Sequence, residues 1–360
     1  MAIYLLLFAS VPFWHLVFKK QKKVFVTIVA LELFAILALK APTLGVDLDN
    51  YSAGYEYIAN MSFTEMIASL RWFSLAKLYW MYAYESGYVV VNWICSHIGL
   101  SFHGFFVVYA AVSVFVLARF VYKYSKLPWL TFLIFMSLGG YIYFFGIIRQ
   151  TIAALILLIS VDAIKDKKLF RFLVLVFIAF TFHRTALLFL PLYFAANIRF
   201  NGKAFKWGFI LYGVELLGLL AVGRLLIQTF LKLFDKGYDT QPFTPNKLML
   251  LIFAIAVFLC LTLNFKKNSN DRIYNIACAG FWLGTYLQLT GVYLELLVRS
   301  YTGFYLIFFA IILAWAIFDL KKQSKMVYYS MLVMMVTCLF LYYILILNGS
   351  EIVPFVPFWS

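Results

Sequence analysis

Charge is scarce in this chain. Asp, Glu, Lys and Arg make up 12% of its 360 residues, about half of the ~25% usual in a soluble domain. Acid is scarcer than base, 15 residues against 30. Hydrophobic residues reach 65% and the mean hydropathy is +0.93, which leaves no stretch for a sizeable soluble domain. Cysteine is rare too. Cys95, Cys260, Cys278 and Cys338 all fall in apolar segments without metal-like spacing. That argues against a disulfide frame or a cysteine metal site and predicts four core residues. The chain has no P-loop, no GxGxxG and no zincin motif, which argues against a nucleotide-driven pump. It also lacks internal repeats and low-complexity segments.

What is present are apolar runs near twenty residues long, recurring from end to end. They predict an all-α polytopic membrane protein. Aromatic residues are 21% of the chain, and many Trp and Tyr fall at run ends, where interfacial belts form. The first run lacks a basic stretch before it and is followed by "KKQKK", which predicts an anchor rather than a cleaved signal peptide. A net charge of +15 invites a nucleic-acid partner, but the positions of the basic residues follow membrane topology instead. Six clusters, at 19–23, 119–126, 165–171, 199–206, 266–272 and 321–325, hold 20 of the 30 Lys and Arg. Short basic loops face the cytoplasm.

With all six clusters inside, one path threads the chain. It has spans near 2–18, 24–40, 103–122, 128–145, 149–164, 169–182, 184–198, 207–231, 247–264, 273–291, 300–319 and 326–347. That makes twelve crossings in a single membrane domain over 1–360, with outer loops near 41–86 (carrying amphipathic segments) and 232–246. The apolar piece 88–100 covers about 20 Å as helix, too short for a ~30 Å core. It is expected as a re-entrant or half-membrane helix. Nine of the fifteen acidic residues, Asp47, Asp49, Glu56, Glu65, Glu85, Asp235, Asp239, Glu295 and Glu351, fall on the outer side.

The same threading sends several chemistry-bearing residues outward. In "YFFGIIRQTIAALILL" a tight turn, with Gly146 permitting the bend, puts Arg149 at the mouth of the next helix. There it serves either as a snorkelling anchor or as a ligand for an anion. The spans flanking His183-Arg184 are about 14 residues each, so that tip is expected below the outer surface. Glu295 and Arg299 stand four apart, the spacing of a helical ion pair. Asp47, Asp49 and Tyr51 follow a glycine in "GVDLDNY", and Glu85 opens "ESGYVVVN". Glu32 and Glu215 fall within spans, and the acidic Glu215 precedes Arg224 by nine residues. They carry either a functional role or a structural one between helices.

Five motifs occur in order: "GVDLDNY", "ESGYVVVN", "FFGIIRQTIAAL", "FTFHRTALLFLP" and "VRSYTGFY". Together, over about residues 40–305, they resemble the EpsG/Wzy-type polysaccharide polymerases of bacterial O-antigen, capsule and exopolysaccharide systems. One departure is the absence of an Arg shortly before the glycine of the first motif, where Lys40 stands. The resemblance implies a GT-C-like membrane glycosyltransferase that uses undecaprenyl-diphosphate-linked repeat units as donor and acceptor. It implies action at the outer face of the bacterial cytoplasmic membrane and no cofactor or metal. It leaves open whether a chain-length regulator takes part and whether the reaction inverts or retains. Arg149, Arg184 and Arg299 are then the expected diphosphate ligands. Asp47, Glu85 and His183 are the expected catalytic candidates. Tyr51, Tyr88, Gln150 and Glu295 are expected at the sugars, with Tyr55, Trp72 and Trp80 as further stacking candidates. The competing reading is a lipid-linked-sugar flippase or secondary transporter that uses Glu32, Glu215 and Arg224 as coupling groups.

Overall fold

The computed structural model describes residues 1–42, 44–45, 47–70, 84–223, 225, 247–291 and 295–359, with the side chains of 247–253, 295–296 and 322 excepted. Trp72, Trp80, Arg224 and the loop expected at 232–246 therefore lie outside the described residues. All regular elements among the described residues are helical. The one extended contact is an isolated bridge between Lys40 and Pro357. The chain forms two compact units, residues 1–189 with 334–360, and residues 190–333.

The first unit holds α1 (Ala2–Val17), α2 (Lys22–Ala38), α3 (Leu48–Ala59), α4 (Phe63–Ser69) and α5 (Ser86–His97). It continues with α6 (Phe102–Tyr124), α7 (Pro128–Ser137), α8 (Ile148–Lys165) and α9 (Leu169–Phe180). α1 packs through Phe8 on Phe340 and Tyr343 of the final helix, Lys325–Asn348. Glu32 in α2 accepts hydrogen bonds from Ser10 Oγ (2.7 Å) and Trp14 Nε1 (2.6 Å) of α1, so this acid is spent on joining two helices.

Three of the basic clusters of this unit gather at one end. Lys22 Nζ donates to the Ser125 carbonyl (2.9 Å). Arg119 and Lys123 both pair with Asp162 near the end of α8 (2.9 and 2.7 Å). The clusters at 19–23, 119–126 and 165–171 thus converge. The other end of α8, where Arg149 sits, lies sixteen residues away, or about 24 Å of helix.

That other end is built from short pieces. α3 turns Leu48, Tyr51, Tyr55 and Ile58 inward, at helical spacing, and exposes Asp49 and Glu56. Ser62 and Glu65 form a reciprocal capping box at α4, and the bonds from Ser62 hold the Glu65 carboxyl below its usual range. The apolar piece expected near 88–100 is the 12-residue α5, about 18 Å long. Ile58, Met66 and Val89 tie α3, α4 and α5 together.

The turn before α8 is a 3-10 segment, Ile142–Phe145. Gly146 has φ −140°, which any residue adopts, so it is not the glycine this turn needs. That role falls to Gly45 (φ 131°), where a Cβ would lie 2.5 Å from the Phe145 carbonyl oxygen.

The second unit holds α10 (Leu190–Ala195), α11 (Gly202–Gly218, running into a π turn to Gly223), α12 (Lys247–Thr262) and α13 (Phe265–Asn268). Beyond them come α14 (Arg272–Thr290), α15 (Glu295–Ser300) and α16 (Leu306–Gln323). α14 and α16 approach closely because Gly280 and Gly284 face Phe308 and Tyr305, where a Cβ would come within 2.5 and 2.7 Å. Small residues four apart permit this approach between membrane helices. Glu215 of α11 accepts a bond from Thr290 (2.6 Å), again an acid used between helices.

Among the described residues, four helices are long and apolar enough to cross a membrane: Phe102–Tyr124, Gly202–Gly223, Leu297–Lys321 and Lys325–Asn348. Shorter apolar helices are Ala2–Val17, Pro128–Ser137, Leu169–Phe180 and Arg184–Ala195. The helical, membrane-type architecture is as expected, and twelve crossings go beyond these four. The cysteines divide. Cys278 is buried, Cys95 and Cys260 are half-buried, and Cys338 is exposed, so the expectation of four core residues fails for Cys338.

Gly45→Ala is expected to lower stability by about 1–3 kcal/mol, from strain at positive φ and the clash with Phe145. Gly213→Ala, with nothing within 4 Å of its Cβ, should be neutral or stabilise by up to ~1 kcal/mol. Thermal melting of the detergent-purified protein compares the two.

Candidate functional site

Three chain segments meet at the mouth of α8. Arg149 is the second residue of that helix. Its Nη1 donates to Glu85 Oε2 at 2.5 Å, and its Nε to the Tyr51 hydroxyl at 3.3 Å. Glu85 is the N-cap residue of α5. The arginine side chain is 25% exposed and the glutamate 14%, so the pair is sheltered yet reachable. Charge-assisted bonds of this type are about twice as strong as neutral ones, and removing one partner strands the other charge.

Aromatic rings frame the pair. The Arg149 guanidinium lies 5.1 Å from the Tyr84 ring centroid and 5.8 Å from that of Tyr51. Tyr51 and Tyr84 stack, with centroids 5.8 Å apart, and both meet Tyr88 edge-on. Tyr84 Oη donates to the Asn50 carbonyl (2.7 Å) and so ties α3 to the start of α5. Tyr88 is completely buried. It backs the other two rings rather than offering a face to a ligand.

The residue after the arginine leads to a second cluster. Gln150 is buried, accepts a hydrogen bond from the Tyr143 hydroxyl through Oε1, and donates through Nε2 to Thr185 Oγ1 at 3.5 Å. Thr185 Oγ1 lies 2.6 Å from His183 Nδ1, and the Thr185 backbone N–H also reaches that nitrogen, at 3.4 Å. With Gln150 donating into Thr185 and Thr185 donating into Nδ1, the chain of bonds has one polarity. In that arrangement Nδ1 is the acceptor. Gly87 N donates to the Thr181 carbonyl (2.8 Å), which fixes the His183 turn against the start of α5.

The other expected site residues have different surroundings. Asp47 precedes α3 in the left-handed region (φ 64°), is exposed, and has no side-chain capping bond. It stands one turn before Tyr51, whose N–H it accepts through its own carbonyl (3.0 Å). Arg184, half-buried, opens the 3-10 turn next to His183. Arg299 is exposed on α15, in the second unit. The Glu295 side chain is outside the described side chains, so the expected Glu295–Arg299 pair is outside them too.

Lys40 does not stand in as an outward arginine. It is buried, donates from Nζ to the Leu44 carbonyl (2.8 Å), and lies 4.2 Å from the Phe106 ring centroid. Its ammonium ties the Leu44 carbonyl back toward the end of α2. Thr185, Tyr84 and Tyr143 were not among the expected residues. Thr185 lies within "FHRTAL" and Tyr84 directly before Glu85, so proximity to the motifs was the available signal. Tyr143 carried none beyond its place in the turn. No group of three His, Cys, Asp or Glu suited to a metal ion is found among the described residues.

Apolar helices long enough to cross a bilayer, and in the first unit a charged, aromatic-framed cluster at the end of α8 away from three basic clusters, define an integral membrane protein. The EpsG family model matches residues 23–358, nearly the whole length, and the chain belongs to this family of Wzy-type polysaccharide polymerases. No curated protein matches the chain, and no solved structure does either. Membership makes it a membrane polysaccharide polymerase of glycosyltransferase type.

Breaking the pair at the site has a signature. Arg149→Ala and Glu85→Ala should each cost on the order of 3 kcal/mol. The double variant should cost clearly less than their sum, because it strands neither charge. Denaturation of the three variants in detergent checks this non-additivity.

Proposed function

We propose that the chain polymerises undecaprenyl-diphosphate-linked oligosaccharide repeat units at the outer leaflet of the bacterial cytoplasmic membrane. The fold would be a GT-C-like bundle of twelve crossings. The observation that carries the proposal is Arg149, held by Glu85 and Tyr51 at the end of its unit away from the basic loops. In the reaction, the bond between the sugar anomeric carbon and the diphosphate oxygen of one lipid carrier breaks. A hydroxyl oxygen of the next lipid-linked unit bonds to that carbon and loses its proton, and the lipid diphosphate leaves. Negative charge grows on the leaving oxygen. A guanidinium fixed in advance at that point stabilises the transition state more than the ground state.

Roles follow from the surroundings of each residue. Arg149 takes the diphosphate, and Glu85 is the group that aims it. His183, oriented by Thr185, stands at the anionic oxygens, and Arg184 beside it adds charge. Asp47, exposed and without an ion pair among the described residues, accepts the proton of the incoming hydroxyl. Tyr51, buried, orients Arg149, and the buried Gln150 orients Thr185. The flippase or transporter reading needs unengaged acids within the membrane. Glu32 is held by Ser10 and Trp14, and Glu215 by Thr290.

The test is polymer length from purified protein and authentic lipid-linked repeat units. Wild type should extend the glycan, with or without a chelator of divalent metals. Arg149→Ala should lose at least about 100-fold in rate, the scale of one preorganised oxyanion donor. Arg149→Lys should recover little of it, because an ammonium lacks the planar fork. Wild-type chain lengths from Arg149→Ala would remove Arg149 from the site. Thr185→Val, which deletes the donor into Nδ1, should lower the rate and alter its pH profile, whereas Thr185→Ser should retain both.

A further inference from the structure

The second unit carries an open groove of about 590 Å³ between the start of α11 and the α12–α13 junction. One wall is a single stripe of α11. Lys203, Trp207 and Ile210 line it, and Val214 and Leu217 continue the stripe beyond the groove; at spacings of four and three, such residues share one face of a helix. Lys206 flanks the stripe one turn from Lys203. The stripe changes character along its length: first ammonium groups, then an exposed indole, then Ile210, Val214 and Leu217 at 51, 61 and 68% exposure. Cys260 and Phe265 form the facing wall.

The groove is strongly positive. Lys203 and Lys206 are exposed and carry no ion pair among the described residues, and the same holds for Lys266 and Lys267 on α13. The two nearby acids are used elsewhere. Asp271 caps α14 through Ile273 N and Tyr274 N. Asp319 accepts from Asn264 N and Asn268 Nδ2 (3.1 and 2.6 Å). Neither neutralises the lysines.

We infer that this groove is a binding site for an anionic phospholipid. Its phosphate would sit between Lys203 and Lys206, its glycerol region against Trp207, and an acyl chain along Ile210, Val214 and Leu217. The order of chemistry on the stripe matches that of the lipid, from headgroup through interface to chain. A soluble anion would use only the first turn and leave the exposed apolar remainder of the stripe uncovered. An acidic peptide or nucleic acid would place charge against Val214 and Leu217. α11 continues to Gly223 as a span of which only 22% is buried inside the protein, so its flank is open to lipid. The inference does not depend on the polymerase chemistry.

The experiment uses full-length protein purified in detergent. Binding of phosphatidylglycerol, phosphatidylcholine, inorganic phosphate and an acidic peptide is read by native mass spectrometry and by thermal shift. Wild type should retain phosphatidylglycerol in preference to the other three. Lys203→Ala/Lys206→Ala should weaken it on the order of thirtyfold, from about a factor of five per cation. Lys203→Arg/Lys206→Arg should hold it. Lys19→Ala/Lys20→Ala, which removes an equal charge from another loop, should leave binding unchanged. Equal melting temperatures without added lipid confirm that the variants fold. Unchanged phosphatidylglycerol binding in Lys203→Ala/Lys206→Ala would overturn the assignment. So would equal binding of phosphatidylcholine, phosphate or the peptide by wild type, or an equal loss from the Lys19/Lys20 control.

Discussion

The contact between Arg149 and Glu85 organises one end of the first unit. Each charge alone would be expensive at the edge of an apolar bundle. Together they join the first turn of α8 to the cap of α5, with Tyr51 bringing in α3 through the same guanidinium. Three helices whose apolar faces would tolerate several registers are thereby given one. The tyrosines around the pair add area without competing for its hydrogen bonds. The polar residues at this end are arranged around an arginine that cannot give up its proton.

Much of this architecture was legible in the sequence because membrane helices announce themselves by charge placement. The clusters at 19–23, 119–126 and 165–171 were expected on one side, and Lys22–Ser125 and the Asp162 cluster bring them together. The short helix near residue 90 and the turn before Arg149 were visible for the same reason. Residues were less legible where a side chain's role depends on a distant partner. Lys40 stood where an arginine was expected, its role open, and it bonds the Leu44 carbonyl beneath Phe106. Gly146 read as the hinge, but the constraint falls on Gly45, a hundred residues earlier, because the clash is with a backbone it meets only after folding. Thr185 had no reason to stand out from its motif until Gln150 and His183 were seen on either side of it.

The two acids expected inside spans show how one composition serves two ends. Glu32 and Glu215 each resemble a coupling group on a hydropathy trace. Each accepts from hydroxyl or indole donors of a neighbouring helix, a way to give helices a preferred rotation where apolar contact alone discriminates little. Asp47 is the opposite case. It is exposed, held in a backbone conformation that few residues other than glycine adopt, and placed one turn from Tyr51. Its strain is stored beside the residues that bind Arg149.

The segment after the final helix has a consequence for how the protein is made. Val356 accepts the Ala41 N–H, Phe358 N donates to the Leu39 carbonyl, and Ile352 accepts the Tyr4 hydroxyl. Lys40 bridges to Pro357. The start of the loop that carries Gly45 and Asp47 is therefore stitched by residues synthesised some three hundred positions later. The ribosome can thread the helices into the bilayer in order, but this corner of the protein stays unfastened until translation has passed residue 358. Assembly of the first unit is in that respect a late event in biogenesis, although most of its parts enter the membrane first.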